Sequence, residues 1–245
     1  MWTIAGLADP GGGESLHLSP FELYLVGSRC GTLGGAWRAD TDGVFLASVD
    51  SASSDVVEGT PGCARASQET PGWLRRVTAY RFDGNGLPVL LDDLAQPVAR
   101  LVPGTTATAW PDLAPFVLEP PMVTDESRRS FAPAVPLPAA LTPVDPQRLA
   151  GRWVPTRGHR GAYLEFTADG GWRGSDGCND QNGRWITADG GTLLATAGAV
   201  TLAACAARVP VGYWLWEGRR AGFDGDTLVL LDGRGTETGR LHPVG

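Results

Sequence analysis

Short segments in which apolar and polar residues alternate run through the C-terminal half of the chain. Residues 162–167 alternate in this way and lead into an Asp-Gly pair at 169–170, and residues 172–175 follow as the partner strand. Alternation with a period of two is typical of a strand with one buried face, and Asp-Gly favours the tight turn of a hairpin. The remaining strands predicted on this side are 183–187, 192–196, 223–231 and 239–241.

One short helix is predicted in each half. Residues 210–220 form the helix of the C-terminal half, with Trp214 and Leu215 as its apolar anchors. In the N-terminal half, Thr70 is predicted as the N-cap and Pro71 as the first helical residue, since these residue types are favoured at those positions. Short antiparallel strands joined by tight turns predict a mainly β fold, with a small meander barrel in each half.

The two halves of the chain repeat one another. Residues 30–37 align with residues 178–185 without a gap and match at both the cysteine and the tryptophan. Further blocks match in the same order, namely Phe82-Asp83-Gly84 with Phe223-Asp224-Gly225, Leu90-Leu91-Asp92 with Leu230-Leu231-Asp232, and Arg100-Leu101 with Arg240-Leu241. Chance supplies one such block but hardly three in order, so the sequence predicts two copies of one domain.

A proline-rich segment separates the two copies. Residues 105–146 contain nine prolines. Because proline lacks a backbone donor and fixes φ, this segment can be neither a central strand nor a long helix. The predicted organisation is a first domain at residues 1–104, an extended linker at 105–146 and a second domain at 147–245. The sequence leaves open whether the linker is free or docked on a domain.

Composition narrows the possible functions. The chain has 245 residues and a net charge of −7, and all 20 of its basic residues are arginine. The absence of lysine excludes a Schiff-base lysine and a phosphate-loop lysine. An acidic balance without a basic tract argues against nucleic acid as a partner, because phosphates require clustered positive charge. The hydrophobic fraction of 42% is that of an ordinary globular protein.

The location of the protein depends on whether the chain is trimmed. Its start lacks the basic stretch and apolar run of a signal peptide, and no segment approaches the roughly 18–20 apolar residues of a membrane helix. If Met1 is the true start, we expect a cytoplasmic protein, whereas a trimmed mature form would belong to the cell envelope or be secreted. We expect a monomer without a transmembrane segment, whose partner is an unidentified small molecule or protein.

The four cysteines fall at matched places in the two copies. Cys30 corresponds to Cys178, and Cys63 corresponds to Cys205. Four cysteines allow three pairings, of which the repeat selects Cys30–Cys63 and Cys178–Cys205 as disulfides. The alternative is four reduced, buried thiols, which is the usual state in a cytosolic protein.

A motif surrounds the second copy's first cysteine. It consists of Gly174-Ser175-Asp176-Gly177-Cys178-Asn179, followed by Gly183-Arg184-Trp185 and Ala204-Cys205. This motif resembles that of the META domain, a family of bacterial heat-shock-associated and envelope proteins that includes many lipoproteins. Residues 150–242 cover the whole of such a domain. The first copy is a diverged relative, because Gly31 stands where the second copy has Asn179. The resemblance implies an antiparallel β-barrel-like fold and an envelope connection, and it transfers no catalytic residues.

The motif loop is also the candidate binding site. Residues 176–182 are dense in side-chain donors and acceptors and lie near two tryptophans, a mixture that suits a polar ligand. The candidate ligand-binding residues are Trp172, Asp176, Asn179, Asp180, Gln181 and Trp185. The alternative is that Asn179 caps its own loop while both tryptophans fill the barrel.

The leading functional hypothesis is a non-enzymatic, two-domain META-like protein with a role in binding or in envelope stress protection. It has no predicted catalytic residue, metal site or cofactor. A second hypothesis is a hydrolase that uses Asp176 or Asp180 as general acid or base, which requires a raised carboxyl pKa and a partner carboxyl roughly 5–9 Å away. A third is a carrier that holds a small apolar ligand inside a barrel.

Overall fold

The structure, a computed structural model, describes two compact units that are both mainly antiparallel β-sheet. The units are Met1–Arg129 and Ser130–Gly245, and the predicted mainly β fold class is confirmed. The described residues are 2–5, 15–28, 31–52, 70–104, 122–158, 161–198, 200–201, 203–205 and 208–244.

The described part of the N-terminal unit contains one eight-stranded sheet. In chain order its strands are β1 (Trp2–Ala5), β2 (Ser15–Leu18), β3 (Glu22–Ser28), β4 (Gly31–Ala39), β5 (Phe45–Ala52), β6 (Ala79–Phe82), β7 (Pro88–Leu91) and β8 (Pro97–Pro103). They lie in the order β5-β4-β3-β2-β1-β8-β7-β6, and a bridge between Val44 and Ala79 brings the two ends of that order together. Helix α1 (Gly72–Arg75) precedes β6, and helix α2 (Asp125–Ser130) ends where the second unit begins.

The C-terminal unit is a closed barrel with one added strand. Its strands are β9 (Thr142–Pro143), β10 (Gly151–Pro155), β11 (Ala162–Phe166), β12 (Gly171–Asp176), β13 (Asp180–Ala188), β14 (Thr192–Ala195), β15 (Arg220–Asp224), β16 (Thr227–Leu231) and β17 (Glu237–Pro243). The order is β14-β13-β12-β11-β10-β17-β16-β15. Pairing of Thr192 with Arg220 joins β14 to β15 and closes the barrel, and β9 pairs with the free part of β15.

The two sheets follow the same strand order. Each strand from β1 to β8 has its counterpart nine strands later in the chain. The register of β7 against β8 shifts between Leu90 and Leu91, and the register of β16 against β17 shifts between Leu230 and Leu231. A bulge at the same place in both sheets is a specific feature, because a bulge disrupts the ladder and bends the strand.

Each unit has a core of its own. Apolar side chains on the inner face of the C-terminal barrel include Trp153, Phe166, Trp172, Trp185 and Phe223, all buried. The N-terminal core is made of smaller residues, among them Leu16, Leu23, Leu25, Phe45 and Leu90. Two separate cores of this size are expected of two domains rather than one. No helix in the described ranges combines the length and the apolar character that crossing a membrane requires.

The helices differ in detail from those predicted. The predictions of Thr70 as the N-cap of α1 and of Pro71 as its first residue are both wrong. Pro71 is the N-cap and the helix begins at Gly72, while the Thr70 hydroxyl accepts a hydrogen bond from the Val49 N–H at 2.9 Å. The predicted helix at 210–220 is confirmed as α4 (Val211–Glu217). The C-terminal unit contains a further short helix, α3 (Pro146–Leu149), whose N-cap Asp145 accepts from the Arg148 N–H, as expected of an aspartate followed by proline.

Candidate functional site

The motif loop is the turn between β12 and β13. Ser175 and Asp180 face each other across the hairpin, and residues 177–179 make the turn, with Gly177 at φ +93. Asp176 shapes this turn, because its Oδ1 accepts hydrogen bonds from the N–H groups of Cys178 at 2.8 Å and Asn179 at 2.7 Å. A short acidic side chain that holds the backbone two and three residues ahead is a turn-forming device.

The Asp176 carboxyl is buried, with an exposed fraction of 5%. Burial by itself would raise its pKa. Hydrogen bonds from the Asn179 and Cys178 N–H groups and from the Asn179 side chain, together with the charge of Arg208, outweigh burial and lower the pKa below the ordinary 3.8. Asp176 is therefore an ionised, fully engaged acceptor.

Asn179 connects the loop to a segment that is distant in sequence. Its side chain is 1% exposed, and its Oδ1 accepts from the Ala203 N–H at 2.7 Å and from the Thr201 hydroxyl at 3.2 Å. Its Nδ2 donates to the Ala203 carbonyl at 3.2 Å and faces Asp176 Oδ2 at 3.5 Å. The carboxamide thus pairs with both backbone groups of Ala203, as a neighbouring strand would.

A disulfide reinforces the same connection. Cys178 and Cys205 are bonded, with their Cα atoms 6.3 Å apart, so the predicted Cys178–Cys205 pairing is confirmed. The bond lies one residue from Asn179 and two from Ala203, and both links hold residues 203–205 against the turn. Cys30 and Cys63 lie outside the described residues, and their pairing stays a prediction.

The two candidate tryptophans lie inside the barrel. Trp172 and Trp185 are 3% and 6% exposed. The Trp172 indole N–H donates to the Thr196 carbonyl at 2.8 Å, and the Trp185 N–H donates to the Gly171 carbonyl at 2.7 Å. Trp185 also packs edge-on against Phe166, with ring centroids 5.7 Å apart. Their rings therefore complete the core and their polar atoms are bonded within it.

Asp180 and Gln181 belong to β13 rather than to the turn. Asp180 is exposed, and its backbone N–H donates to the Thr201 hydroxyl at 3.2 Å. Gln181 is half-buried, and its side-chain amide lies against Gly212 of α4. Of the six predicted site residues, the structure thus brings Asp176 and Asn179 into direct contact and separates them from the two buried indoles.

Several partners of this loop carry no signal of their own in the sequence. Ala203, Thr201 and Val209 contribute mainly backbone or hydroxyl groups, and the Val209 N–H donates to the Asp176 carbonyl at 2.9 Å. Backbone partners cannot be recognised from residue type. The only indication of this contact in the sequence is the nearby Ala204-Cys205 element of the motif.

A cleft of about 180 Å³ lies elsewhere on the same unit, lined in part by Arg148, Arg152, Asp226 and Val244. Arg148 is paired with Asp226 at 3.2 Å and stacks over the Phe223 ring at 3.9 Å. None of the predicted site residues lines this cleft. Within the described ranges, no group of three or more His, Cys, Asp or Glu side chains is arranged to hold a metal ion.

Comparison with known proteins gives one match. The family model of the META domain matches residues 146–242, which include the turn, its disulfide and all eight barrel strands from β10 onward except the last residue of β17. No curated protein and no solved structure matches the chain. The C-terminal half of this chain therefore contains a META domain at residues 146–242.

Proposed function

We propose that this chain is a non-enzymatic binding module of the cell envelope, built from two META-type domains and serving in stress protection. The observation that carries the proposal is the Cys178–Cys205 disulfide at the centre of the META motif. Disulfides form and persist in oxidising compartments and are rare in the cytosol. A bond that holds two distant segments of the motif together favours a protein that works outside the cytosol.

The bonding of the motif residues favours a binding role over catalysis. A general acid that uses a carboxyl group needs a raised pKa, whereas the pKa of Asp176 is lowered. Its oxygens and the Asn179 carboxamide are engaged within the loop and with Ala203. The polar atoms of this motif therefore support a rigid scaffold rather than a catalytic centre.

The filling of the barrel favours a scaffold over a carrier. Trp153, Phe166, Trp172 and Phe223 project into one buried cluster with the aliphatic residues of the same strands. Side chains of this size fill the interior of an eight-stranded barrel. A ligand is then bound on the outside of the barrel, on its surface or loops.

Matched details support the N-terminal unit as a second, diverged META-type domain. Gly35 and Gly183 lack the side chain that would meet the carbonyl oxygens of Ser48 and Thr196 in the neighbouring strand. These two glycines stand at the same place of the repeat, and so do the two carbonyl groups. A close approach of two strands at equivalent positions is a constraint that unrelated sheets would not share.

A matched ion pair gives further support for two copies. Arg100 contacts Asp83 at 2.8 Å in the N-terminal unit, and Arg240 contacts Asp224 at 2.8 Å in the C-terminal unit. All four residues come from the aligned blocks of the repeat. In each unit the ion pair joins the end of one strand to the strand two places along the sheet. The same pair at the same place supports a common origin of the two units.

The compartment is tested by trapping thiols in living cells. The chain is expressed with an affinity tag at its own locus, the cells are quenched with acid, and free thiols are alkylated before fractionation. We expect the protein in the envelope fraction, with Cys178 and Cys205 alkylated only after reduction. The matched variant Cys205→Ser should expose Cys178 to alkylation without reduction. The proposal would be overturned if the protein were found in the cytosolic fraction with both Cys178 and Cys205 alkylated before any reduction.

A further inference from the structure

A proline-containing segment lies on the outer side of β15 in the C-terminal unit, and its end, at Val144, packs into the barrel core. This segment, residues 130–145, is called the strap below. The Val135 N–H donates to the Gly233 carbonyl at 3.0 Å, and the Val144 N–H donates to the Ala221 carbonyl at 3.2 Å. Between these two points, Thr142 and Pro143 form β9 and pair with β15. The strap precedes the residues that match the META family model.

The strap contacts the barrel in two recognisable ways. In its first part, Phe131, Ala134 and Leu137 are half-buried while the residues between them are exposed. A repeat of three residues is the period of a polyproline II helix. In its second part it adds a short strand to β15. Both modes are used by proteins that bind extended peptides, where backbone hydrogen bonds give affinity and pockets for side chains give specificity.

Glycines form the pocket that receives the strap's leucines. A Cβ on Gly222 would lie 2.9 Å from Leu141 Cβ and 3.1 Å from Leu137 Cδ2, and a Cβ on Gly191 would lie 3.0 Å from Leu137 Cδ2. The distance to Leu141 Cβ is shorter than carbon atoms tolerate, and the two distances to Leu137 Cδ2 are tight enough that the leucine would have to move. Leu137 can therefore seat between β15 and the 3₁₀ turn at Asp189–Gly191 because both positions lack a side chain.

Two buried arginines reach the backbone of the strap. Arg219 and Arg220 are 6% and 9% exposed. The guanidinium of Arg219 donates to the Ser130 carbonyl, and Arg220 Nε donates to the Val135 carbonyl at 3.5 Å. Buried charges need hydrogen-bond partners, and the strap supplies carbonyl groups to both. Such contacts recognise an extended backbone irrespective of its side chains.

We propose that the outer face of the barrel around β15 is a docking site for an extended proline-containing peptide, and that the strap is its intramolecular occupant. The site selects a leucine at the position of Leu137 through the gap left by Gly191 and Gly222. The remaining affinity comes from the β15 edge and the two arginines. This docking site is distinct from the disulfide-linked turn, so it stands or falls independently of the proposed compartment.

A labelled synthetic peptide with the sequence of residues 130–145 tests the site. In the full-length wild-type chain the strap competes at an effective concentration on the order of millimolar, so the added peptide should bind weakly. In the full-length variant Leu137→Asp, the strap is loosened by a carboxylate placed in an apolar gap. Fluorescence anisotropy should then show saturable binding at least about tenfold tighter than to the wild type.

Variants of the pocket provide the matched controls. Adding Gly222→Ala to Leu137→Asp should abolish binding of the peptide. Adding Gly84→Ala should not, because Gly84 lies in the N-terminal unit and a Cβ there meets nothing within 4 Å. Three results would each overturn the docking site. The peptide could fail to bind Leu137→Asp, it could bind the wild type as tightly as Leu137→Asp, or it could bind Leu137→Asp equally well with and without Gly222→Ala.

Limited proteolysis covers the case in which Leu137→Asp does not fold. Chymotrypsin cleaves after phenylalanine and leucine, which offers Phe131 and Leu141 in the strap, whereas Pro138 blocks cleavage after Leu137. The strap should be protected in the wild type and in Gly84→Ala and cleaved several-fold faster in Gly222→Ala. Equal cleavage rates in the wild type and Gly222→Ala would show that the pocket does not hold the strap.

Discussion

Asn179 links the motif turn to a segment that is distant in sequence through both ends of its carboxamide. It uses a carbonyl oxygen and an NH₂ group at once, toward the two backbone groups of Ala203. Aspartate would lack the donor and would bring a second charge next to Asp176. Glutamine carries the same groups on a longer stem. An asparagine at this place is explained by bonding within the protein, without any ligand.

Replacing Asn179 should destabilise the C-terminal unit strongly. Asn179→Ala removes the buried contacts and leaves Ala203 with unpaired backbone groups, so we expect a loss of about 2–4 kcal/mol in the free energy of unfolding. Asn182→Ala is the matched control, because Asn182 is exposed in the same strand and should change stability by less than about 0.5 kcal/mol. Urea unfolding followed by tryptophan fluorescence measures both. Equal effects of the two variants would contradict the assigned role.

Asp176 should make stability depend on pH in the acid range. Its pKa is lowered in the folded protein, so its contribution is fully present above the ordinary pKa of 3.8 and is lost as the pH falls through the lowered value. Asp176→Asn keeps an acceptor oxygen but cannot ionise. The stability difference between wild type and variant should therefore be larger at about pH 7 than at about pH 3. An identical difference at both pH values would show that the charge contributes nothing.

At the scale of elements, the disulfide joins the β12–β13 turn to the segment before α4. It spans 27 residues, and in the chain-entropy model a loop of that length contributes about 3 kcal/mol. The double variant Cys178→Ser/Cys205→Ser should lose about that amount. Reductant should lower the midpoint of the C-terminal unit's transition in the wild type and leave that transition unchanged in the double variant, which calorimetry with and without reductant measures. A reductant-dependent shift of the C-terminal transition in the double variant would contradict the role of this bond.

Strands that bury one face could be predicted from the sequence. Segments whose conformation depends on hydrogen bonds to a neighbouring element could not. The predicted strands 162–167 and 192–196 agree with β11 and β14 to within a residue, because alternation reports burial directly. Residues 180–182 are polar and were predicted as loop, yet they belong to β13 because they pair with β12. Thr70 illustrates the same limit, since its hydroxyl bonds to Val49 in another element.

The strap shows how tertiary contacts decide the state of a proline-rich segment. Its composition fits a free linker and a docked one equally well. The deciding features lie far along the chain, in the glycines at 191 and 222 and in the β15 edge. Glycine content alone does not reveal them, because other glycines, such as Gly177 and Gly225, serve turns. Only the three-dimensional position of these two shows that they leave room for Leu137.

At the scale of the whole molecule, two cores in two units predict two separable unfolding transitions. Gly35 and Gly183 offer a matched pair of probes, since a Cβ at either position would collide with a strand carbonyl in its own unit. Forcing a side chain into such a site costs typically 1–3 kcal/mol. In full-length chains studied by calorimetry, Gly35→Ala should lower the midpoint of one transition, and Gly183→Ala should lower that of the other.

Gly84→Ala is the neutral control, because a Cβ there meets nothing within 4 Å. The N179A variant assigns the transitions, since it must affect the same one as Gly183→Ala if both report on the META domain. Independent shifts would mean that each unit holds its fold through its own core, as separate domains do. If either glycine variant lowered both transitions together, the two units would unfold as one cooperative body, and the two-domain organisation would have to be abandoned.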